Sequence, residues 1–200
     1  MKQSPHEILH KWDTKPERRV KGLIKDIESG RNAMPAARRI AWILAQLEPP
    51  ATVLDVGAGS GHLVWALNRA GYSAAGIEPH ERAVELSKRY TDRVGQGSVY
   101  DEIGDSTWGT VVMAEVIEHL QWPELALRRI ASKATAQIIL TTPAAQQPEG
   151  KGGRILCSRY HLREWTPSEF TEFVEGVLPG WECRVQEIID GEIRSVFGLR

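Results

Sequence analysis

Short apolar segments alternate with segments of helical period along most of this chain, and this alternation limits the folds that it can adopt. The apolar segments include TVLDV, SAAGI, TVVMA and AQIIL, and Asp55 in the first is their single charged residue. Between them lie stretches such as HLVWALNRAG and PELALRRIAS, in which apolar residues recur every three to four positions. Apolar strands that are separated by helices predict an α/β fold, with a parallel sheet covered on both faces.

The last third of the sequence follows a different pattern. In TPSEFTEFVEGV, Thr166, Pro167 and Glu169 form the sequence signature of a capping box and predict the start of a helix. The segments WECRVQEII and IRSVFGLR are joined at Asp190-Gly191, which predicts a hairpin turn. The expected fold is therefore a doubly wound, mostly parallel sheet with a C-terminal antiparallel hairpin.

Length and composition exclude several classes of protein. The 200 residues suit one compact domain, and a net charge of −1 gives no overall positive field for nucleic acid. The two cysteines, Cys157 and Cys183, make no disulfide framework, and no apolar run approaches the roughly 20 residues of a membrane span. We expect a cytoplasmic protein with reduced thiols. Residues 1–33 are polar and are expected to form a helical lid or extension to a main domain at 34–200; a solvated helix face is the alternative.

A glycine-rich turn stands between the first predicted strand and the next helix. Gly57, Gly59 and Gly61 lie in VLDVGAGSGHL, where backbone amides can approach a ligand at the positive end of a helix dipole. The spacing is G-x-G-x-G, whereas a dinucleotide fingerprint requires G-x-G-x-x-G. Asp55, two residues before Gly57, would repel a pyrophosphate and would favour a ligand that carries an ammonium group.

This stretch resembles motif I of the class I S-adenosylmethionine-dependent methyltransferases, and the resemblance covers about residues 35–200. It implies a Rossmann-like fold, with S-adenosyl-L-methionine as cofactor and Asp55 near its ammonium group. It also implies that Glu78, at the end of the second strand, accepts hydrogen bonds from both ribose hydroxyls. The cofactor-binding residues that the resemblance implies are Asp55, Gly57, Ala58, Gly59, Gly61, Glu78, Pro79, Ser98, Val99 and Glu115.

The segment AEVIEHL, residues 114–120, carries two carboxylates and an imidazole in an apolar setting. The preceding strand is predicted to end near Ala114, and ligands bind outside the carboxyl ends of such strands. If a helical turn begins there, side chains three and four residues apart share a face. His161 follows the fifth strand, again on the carboxyl side. The candidate catalytic and metal-binding residues are Glu115, Glu118, His119 and His161. Their oxygen ligands suit Mg²⁺, and the imidazoles admit Mn²⁺, Zn²⁺ or Fe²⁺ as well; Mg²⁺ or Mn²⁺ is the expected ion.

Two groups of methyltransferases share this pattern. Glu-x-x-Glu-His, a later His161 and the tripeptide Glu164-Trp165-Thr166 are similar to the metal site of the small-RNA 3′-terminal 2′-O-methyltransferases. Glu-x-x-Glu-His is also similar to a cation-binding segment of the ubiquinone-pathway O-methyltransferases. A metal-free site, with His119 or His161 as general base, and a structural role for the segment are the alternatives.

The leading prediction is O-methylation of a small hydroxylated metabolite, with help from a metal or a histidine. One alternative is 2′-O-methylation of an RNA 3′ end, which is less favoured because the chain has neither basic composition nor an aromatic stacking platform. Another is a non-catalytic subunit that binds the cofactor. The expected partner is a small-molecule acceptor, and no membrane is expected. A local basic patch would hold an anionic group of the acceptor: Lys151, Arg154, Arg159 and Arg163.

Overall fold

The structure is a computed structural model that describes residues 16–29, 34–48, 51–101, 103–145, 156 and 158–200, with side chains from residue 21 onward. The helices are α1 (Pro16–Glu28), α2 (Pro35–Ala45), α3 (His62–Arg69), α4 (Glu81–Ser87), α5 (Pro123–Ala131) and α6 (Pro167–Val177), and a single 3₁₀ turn spans Ile117–His119. The strands are β1 (Thr52–Val56), β2 (Ser73–Glu78), β3 (Val94–Gln96), β4 (Trp108–Ala114), β5 (Ala134–Pro143), β6 (Trp181–Ile189) and β7 (Glu192–Leu199).

The strands form a seven-stranded sheet in the order β3-β2-β1-β4-β5-β7-β6. The pairs β1–β2, β2–β3 and β4–β5 are parallel. The pairs β5–β7 and β6–β7 are antiparallel. The prediction of a Rossmann-like, mostly parallel sheet with a C-terminal antiparallel hairpin is therefore confirmed.

The chain divides into two compact units, one up to Ile103 and one from Gly104 to Arg200. In the first unit, close packing of β2 against the glycine-rich turn depends on Gly76. A Cβ atom at Gly76 would lie 2.6 Å from the Cβ of Ala58 and 3.0 Å from Cγ2 of Val64. Helix α3 ends at Arg69, and Gly71, two residues further on, adopts the left-handed conformation that is common after a helix, with φ of 92°.

The second unit confirms the capping box and the hairpin turn. Glu169 N–H donates to the Thr166 hydroxyl at the start of α6, and the Glu169 carboxylate accepts from Thr166 N–H. Asp190 and Gly191 both have positive φ, 56° and 77°, as a two-residue hairpin turn between β6 and β7 requires. The core of this unit is the apolar part of β5, where Ile138, Ile139 and Leu140 are fully buried.

Parts of some sequence predictions lie outside the described residues. They include the polar stretch before Pro16 and Cys157. Lys151 and Arg154 of the predicted basic patch lie there too. Among the helices that the structure describes, none has both the length and the apolar character that crossing a membrane requires.

Candidate active site

The glycine-rich turn of the first unit has a backbone that only glycine adopts readily. Gly57, Gly59 and Gly61 all have positive φ, at 79°, 53° and 77°. A Cβ atom at Gly61 would lie 2.9 Å from the Cβ of Ser87 and 3.0 Å from Cγ2 of Thr91, so this glycine lets α4 pack against the turn. A Cβ atom at Gly59 would meet nothing within 4 Å. Gly59 therefore leaves space beside the backbone for a ligand.

Glu78 lies at the carboxyl end of β2 and is buried. One carboxylate oxygen accepts from the amide of Gly59 at 2.9 Å, and the other accepts from the amide of His80 at 2.9 Å. Each carboxylate oxygen has two acceptor positions, so both can still take a hydroxyl donor. Glu78 thus fixes the turn, and it retains the capacity to accept from the two hydroxyls of a ribose.

Asp55 is buried at 3% exposure inside β1. Burial, and then the negative charge of Glu78, raise the pKa of Asp55 to about 7. A carboxylate in this setting is stabilised by a cation, because an opposite charge lowers the free energy of the ionised form. Asp55 is therefore suited to a ligand with an ammonium group, as the sequence analysis predicts.

The remaining candidates in the first unit follow β2 and β3. Pro79 is exposed and Val99 is buried. The hydroxyl of Ser98 accepts from the amide of Tyr100 at 3.2 Å, and the amide of Ser98 donates to Asp101 at 2.8 Å. Asp101 therefore belongs to this loop, although the sequence analysis does not single it out. Its spacing three residues after Ser98 was the available signal, since Asp side chains often bond nearby amides in turns.

In the second unit, Glu115 follows β4 in a conformation that is unusual for its residue type. Its φ is 58°, in the left-handed region that glycine favours. The amide of Glu115 donates to the carbonyl of Thr141 at 2.9 Å, and the Thr141 hydroxyl donates to the Glu115 carboxylate at 3.0 Å. Backbone strain of this kind persists where the surroundings hold it, and it is frequent at functional sites.

The 3₁₀ turn places Glu118 and His119 next to each other. Glu118 is 1% exposed, and the Thr142 hydroxyl donates to its carboxylate at 3.2 Å. The other carboxylate oxygen lies 3.7 Å from Nε2 of His119. A 3₁₀ turn at Ile117–His119 therefore replaces the helical turn that was expected to begin at Glu115.

His161 joins these residues from the segment that precedes α6. The amide of Leu162 donates to the carbonyl of Glu118 at 2.9 Å, which anchors the segment beside the 3₁₀ turn. The rings of His119 and His161 meet edge to face with centroids 5.0 Å apart. Nδ1 of His161 hydrogen-bonds the carboxylate of Glu164, and both residues are buried.

Three of the four proposed metal ligands converge. Glu118, His119 and His161 each offer a ligand atom, and these atoms lie within 4.8 Å of one another. Opposite ligands of one small divalent ion are separated by about 4 Å, so modest side-chain adjustment would bring all three to one ion. Among the described residues, Glu115 is not part of this group; its carboxylate is held by Thr141. We call Glu118, His119 and His161 the Glu/His cluster.

The Glu/His cluster also favours a neutral imidazole at His119. Burial lowers the pKa of His119, and the positive charge that His161 would carry lowers it further; a hydrogen bond to the carbonyl of Tyr160 opposes both. In that bond Nδ1–H donates to the carbonyl at 3.1 Å, because a carbonyl oxygen only accepts. The lone pair on Nε2 is then available to a metal ion or to a proton.

Thr141, Thr142 and Glu164 are three contributors to this site that the sequence analysis does not assign. The two threonines are the polar end of the apolar segment IILTTP, and polar residues at the carboxyl end of a parallel strand were the available signal.

Of the predicted basic patch, Arg163 donates to the carbonyl of Gln121 at 3.2 Å, and Arg159 lies over the ring of Tyr160.

Comparison with known proteins places the chain in a family. A family model described as a methyltransferase domain matches residues 30–182, so the chain belongs to the methyltransferase domain family. Together with the fold, this match identifies a class I S-adenosylmethionine-dependent methyltransferase, as the resemblance of motif I predicts. No curated protein sequence was found to match the chain.

Solved structures share its fold at low sequence identity. Magnesium protoporphyrin IX methyltransferase from Synechocystis, with bound S-adenosylmethionine, has a TM-score of 0.68 at 17% identity, covering 99% of this chain and 98% of that one. The 1,6-didemethyltoxoflavin-N1-methyltransferase of Burkholderia thailandensis has a TM-score of 0.68 at 19% identity, covering 98% and 91%. A TehB-like methyltransferase from Corynebacterium glutamicum has a TM-score of 0.65 at 20% identity, covering 92% and 97%.

Proposed function

We propose that this enzyme transfers the methyl group of S-adenosylmethionine to a hydroxyl oxygen of a small molecule. The observation that carries the proposal is the Glu/His cluster, in which one carboxylate and two imidazoles offer ligand atoms within 4.8 Å of one another. Methyl transfer to a hydroxyl requires removal of a proton, and a cluster of this composition can assist that step with or without a metal.

We propose Mg²⁺ or Mn²⁺ as the ion that Glu118, His119 and His161 would hold. The donor set fits Mn²⁺ better than Mg²⁺, because Mg²⁺ prefers oxygen ligands and only one of the three side chains offers oxygen; the lowered pKa of His119 favours the neutral ring that a metal ion requires. A bound divalent ion would supply Lewis acidity, which lowers the pKa of an acceptor hydroxyl. Thr142 would keep the Glu118 carboxylate oriented, since its hydroxyl donates to one of the two oxygens.

The proton balance of the reaction assigns a role to His119. As the acceptor oxygen forms its bond to the methyl carbon, the carbon–sulfur bond breaks and S-adenosylhomocysteine leaves. In the absence of a bound ion, the hydroxyl proton would pass to Nε2 of His119, because Nδ1–H is engaged by the Tyr160 carbonyl; when Nε2 holds an ion instead, the proton would leave to solvent. The lowered pKa of His119 keeps that nitrogen unprotonated before the reaction.

We assign the cofactor to the glycine-rich turn of the first unit. Asp55 would pair with the ammonium group of the methionine moiety, and Glu78 would accept from the ribose hydroxyls. The space beside Gly59 would admit the cofactor to the backbone. Ser98 and Val99 would contact the adenine from the loop after β3.

A small molecule is favoured as acceptor over a macromolecule. Two structural neighbours are named for small-molecule acceptors, magnesium protoporphyrin IX and 1,6-didemethyltoxoflavin. The net charge of −1 also gives no field that would gather a polyanion.

Methylation of an RNA 3′ end is the second candidate, and one observation favours it. Glu164, the first residue of the Glu-Trp-Thr tripeptide, hydrogen-bonds His161, so this shared tripeptide is tied to the Glu/His cluster. Trp165 is buried and packs between Phe170 and Phe173, with centroids 5.4 and 5.3 Å away, so it offers no platform for a base. A terminal ribose and a small vicinal diol present the same pair of hydroxyls, so the acceptor must be identified by experiment.

The test is an acceptor screen that measures S-adenosylhomocysteine by mass spectrometry. The enzyme, S-adenosylmethionine and Mg²⁺ or Mn²⁺ are combined with catechols and vicinal diols, with matched monohydroxyl and amine compounds, and with short RNAs that end in a free 2′,3′-diol. We expect turnover of small diols that falls at least a hundredfold in Glu118→Gln and is unchanged in Glu124→Gln, a surface control. Turnover of RNA alone would support the second candidate, and turnover of amines alone would contradict O-methylation.

A further inference from the structure

Glu164 is a buried acidic residue that the reaction described above does not use directly. Its side chain is fully buried, that of His161 is 8% exposed, and a hydrogen bond joins Glu164 Oε1 to Nδ1 of His161. A charge-assisted hydrogen bond between two buried groups fixes both the position and the rotation of the imidazole ring. The orientation of His161 therefore depends on Glu164.

The chemistry of a carboxylate also determines which ring nitrogen carries the hydrogen. An ionised carboxylate only accepts hydrogen bonds, so a neutral His161 bonded to it through Nδ1 must be the Nδ1–H tautomer. The lone pair is then on Nε2, the nitrogen that remains for the Glu/His cluster. His119 has the same arrangement, because its Nδ1–H donates to the carbonyl of Tyr160.

The two arrangements come from one short segment of the chain. Tyr160, His161 and Glu164 all lie between Ser158 and Trp165, and the Leu162 amide anchors that segment to the Glu118 carbonyl. This segment thus supplies the ligand His161 and the Glu164 carboxylate that sets its tautomer. It also supplies the Tyr160 carbonyl, which sets the tautomer of His119.

We propose that Glu164 is a positioning residue that holds His161 in the Nδ1–H tautomer and presents its Nε2 lone pair to the Glu/His cluster. This inference rests on the proposed function in one respect: the Glu/His cluster must either hold a metal ion or act as the base toward the acceptor. A carboxylate bonded to the far nitrogen of a ligand imidazole orients the ring and raises its basicity, and loss of such a partner typically weakens metal binding 10–100-fold. Glu164 would therefore act through His161 and not on the acceptor.

The first readout is the tautomer itself, and it needs no metal. Two-bond ¹H–¹⁵N spectra of protein labelled with ¹⁵N-histidine distinguish the two neutral tautomers, and His161→Gln identifies the signals. We expect the Nδ1–H tautomer for His161 in the wild type at pH 8. In Glu164→Gln we expect a mixture, because an amide of nearly the same shape can both donate and accept. Glu124→Gln is the matched control, since Glu124 lies near Arg163 of the same segment and is half exposed.

The second readout is calorimetric titration of Mn²⁺ into the same proteins saturated with S-adenosylhomocysteine. We expect a 10–100-fold weaker affinity in Glu164→Gln and an unchanged affinity in Glu124→Gln. An Nε2–H tautomer in the wild type, an unchanged tautomer in Glu164→Gln, or a changed tautomer with unchanged Mn²⁺ affinity would each overturn the proposal. If the wild type bound no Mn²⁺, the metal in the proposed function would fail, and the tautomer alone would decide the role of Glu164.

Discussion

Thr142 donates its hydroxyl hydrogen to the buried carboxylate of Glu118 at 3.2 Å, from the end of β5 to the 3₁₀ turn after β4. A buried carboxylate needs such donors, because a polar group removed from water without partners costs free energy. The bond also selects one orientation of Glu118, in which the other oxygen faces Nε2 of His119 at 3.7 Å. The geometry of the Glu/His cluster therefore depends on Thr142, which lies outside the cluster and orients Glu118.

Replacing Thr142 by valine should damage function more than folding. Valine keeps the shape of the side chain but removes the donor, so we expect a stability loss of about 1–2 kcal/mol. We also expect a five- to twentyfold loss of turnover, with unchanged affinity for S-adenosylhomocysteine. Thr135→Val is the control, because Thr135 is an exposed residue of the same strand. Equal turnover in the two variants would show that the Thr142 bond is not needed.

Cofactor binding should depend on pH through Asp55. Because the pKa of Asp55 is raised to about 7 in the free protein, the carboxyl group is largely protonated below that pH. An ammonium group favours the ionised form, so binding below pH 7 must release a proton, and affinity should rise by up to about tenfold per pH unit between pH 5.5 and 7. Titration calorimetry in buffers of different ionisation enthalpy measures both quantities. Asp55→Asn should abolish the slope; the same slope in that variant would contradict the assignment.

Because the backbone at Glu115 is left-handed, a glycine variant should be more stable than an alanine variant at this position, the reverse of the usual order. With φ at 58°, a residue that has a Cβ atom is strained, and glycine is not. We therefore expect Glu115→Gly to be more stable than Glu115→Ala by about 1–2 kcal/mol in urea denaturation. Both variants lose the carboxylate, so any change in turnover should be the same in both. A more stable alanine variant would show that this conformation is not strained.

Two glycines of the same turn should respond differently to alanine. Gly61→Ala brings a Cβ atom to 2.9 Å from the Cβ of Ser87 at a φ of 77°, so we expect a loss of more than about 2 kcal/mol. Gly59→Ala meets open space, and only the φ of 53° is unfavourable, so we expect about 1 kcal/mol. Gly59→Ala should nevertheless weaken S-adenosylhomocysteine binding at least tenfold. Unchanged binding in that variant would remove the cofactor from this part of the turn.

The local signals of the sequence predicted the fold well. The glycines of the turn, the capping box at Thr166 and the hairpin turn at Asp190 each depend on neighbouring residues, and the structure confirms them. Alternation of apolar strands and helices predicted a parallel sheet, because neighbouring parallel strands need a long crossover connection, which is usually a helix.

The site was harder to predict because its contacts join distant segments. Thr141 lies 26 residues from Glu115, and His119 lies 41 residues from the carbonyl of Tyr160. Such pairs depend on strand register and on the path of the segment before α6, neither of which a local pattern specifies. The left-handed Glu115 could not be foreseen either, since glutamate rarely adopts that conformation.

The measurement that tests the central claim most directly is titration of Mn²⁺ into metal-stripped protein saturated with S-adenosylhomocysteine, followed by calorimetry and by electron paramagnetic resonance for nitrogen ligands. We expect one ion per chain, with couplings to imidazole nitrogen, and an affinity at least a hundredfold weaker in Glu118→Gln and His161→Gln. We also expect that Glu124→Gln binds as the wild type does. Absence of binding in the wild type, or equal affinity in all four proteins, would contradict a metal centre at the Glu/His cluster.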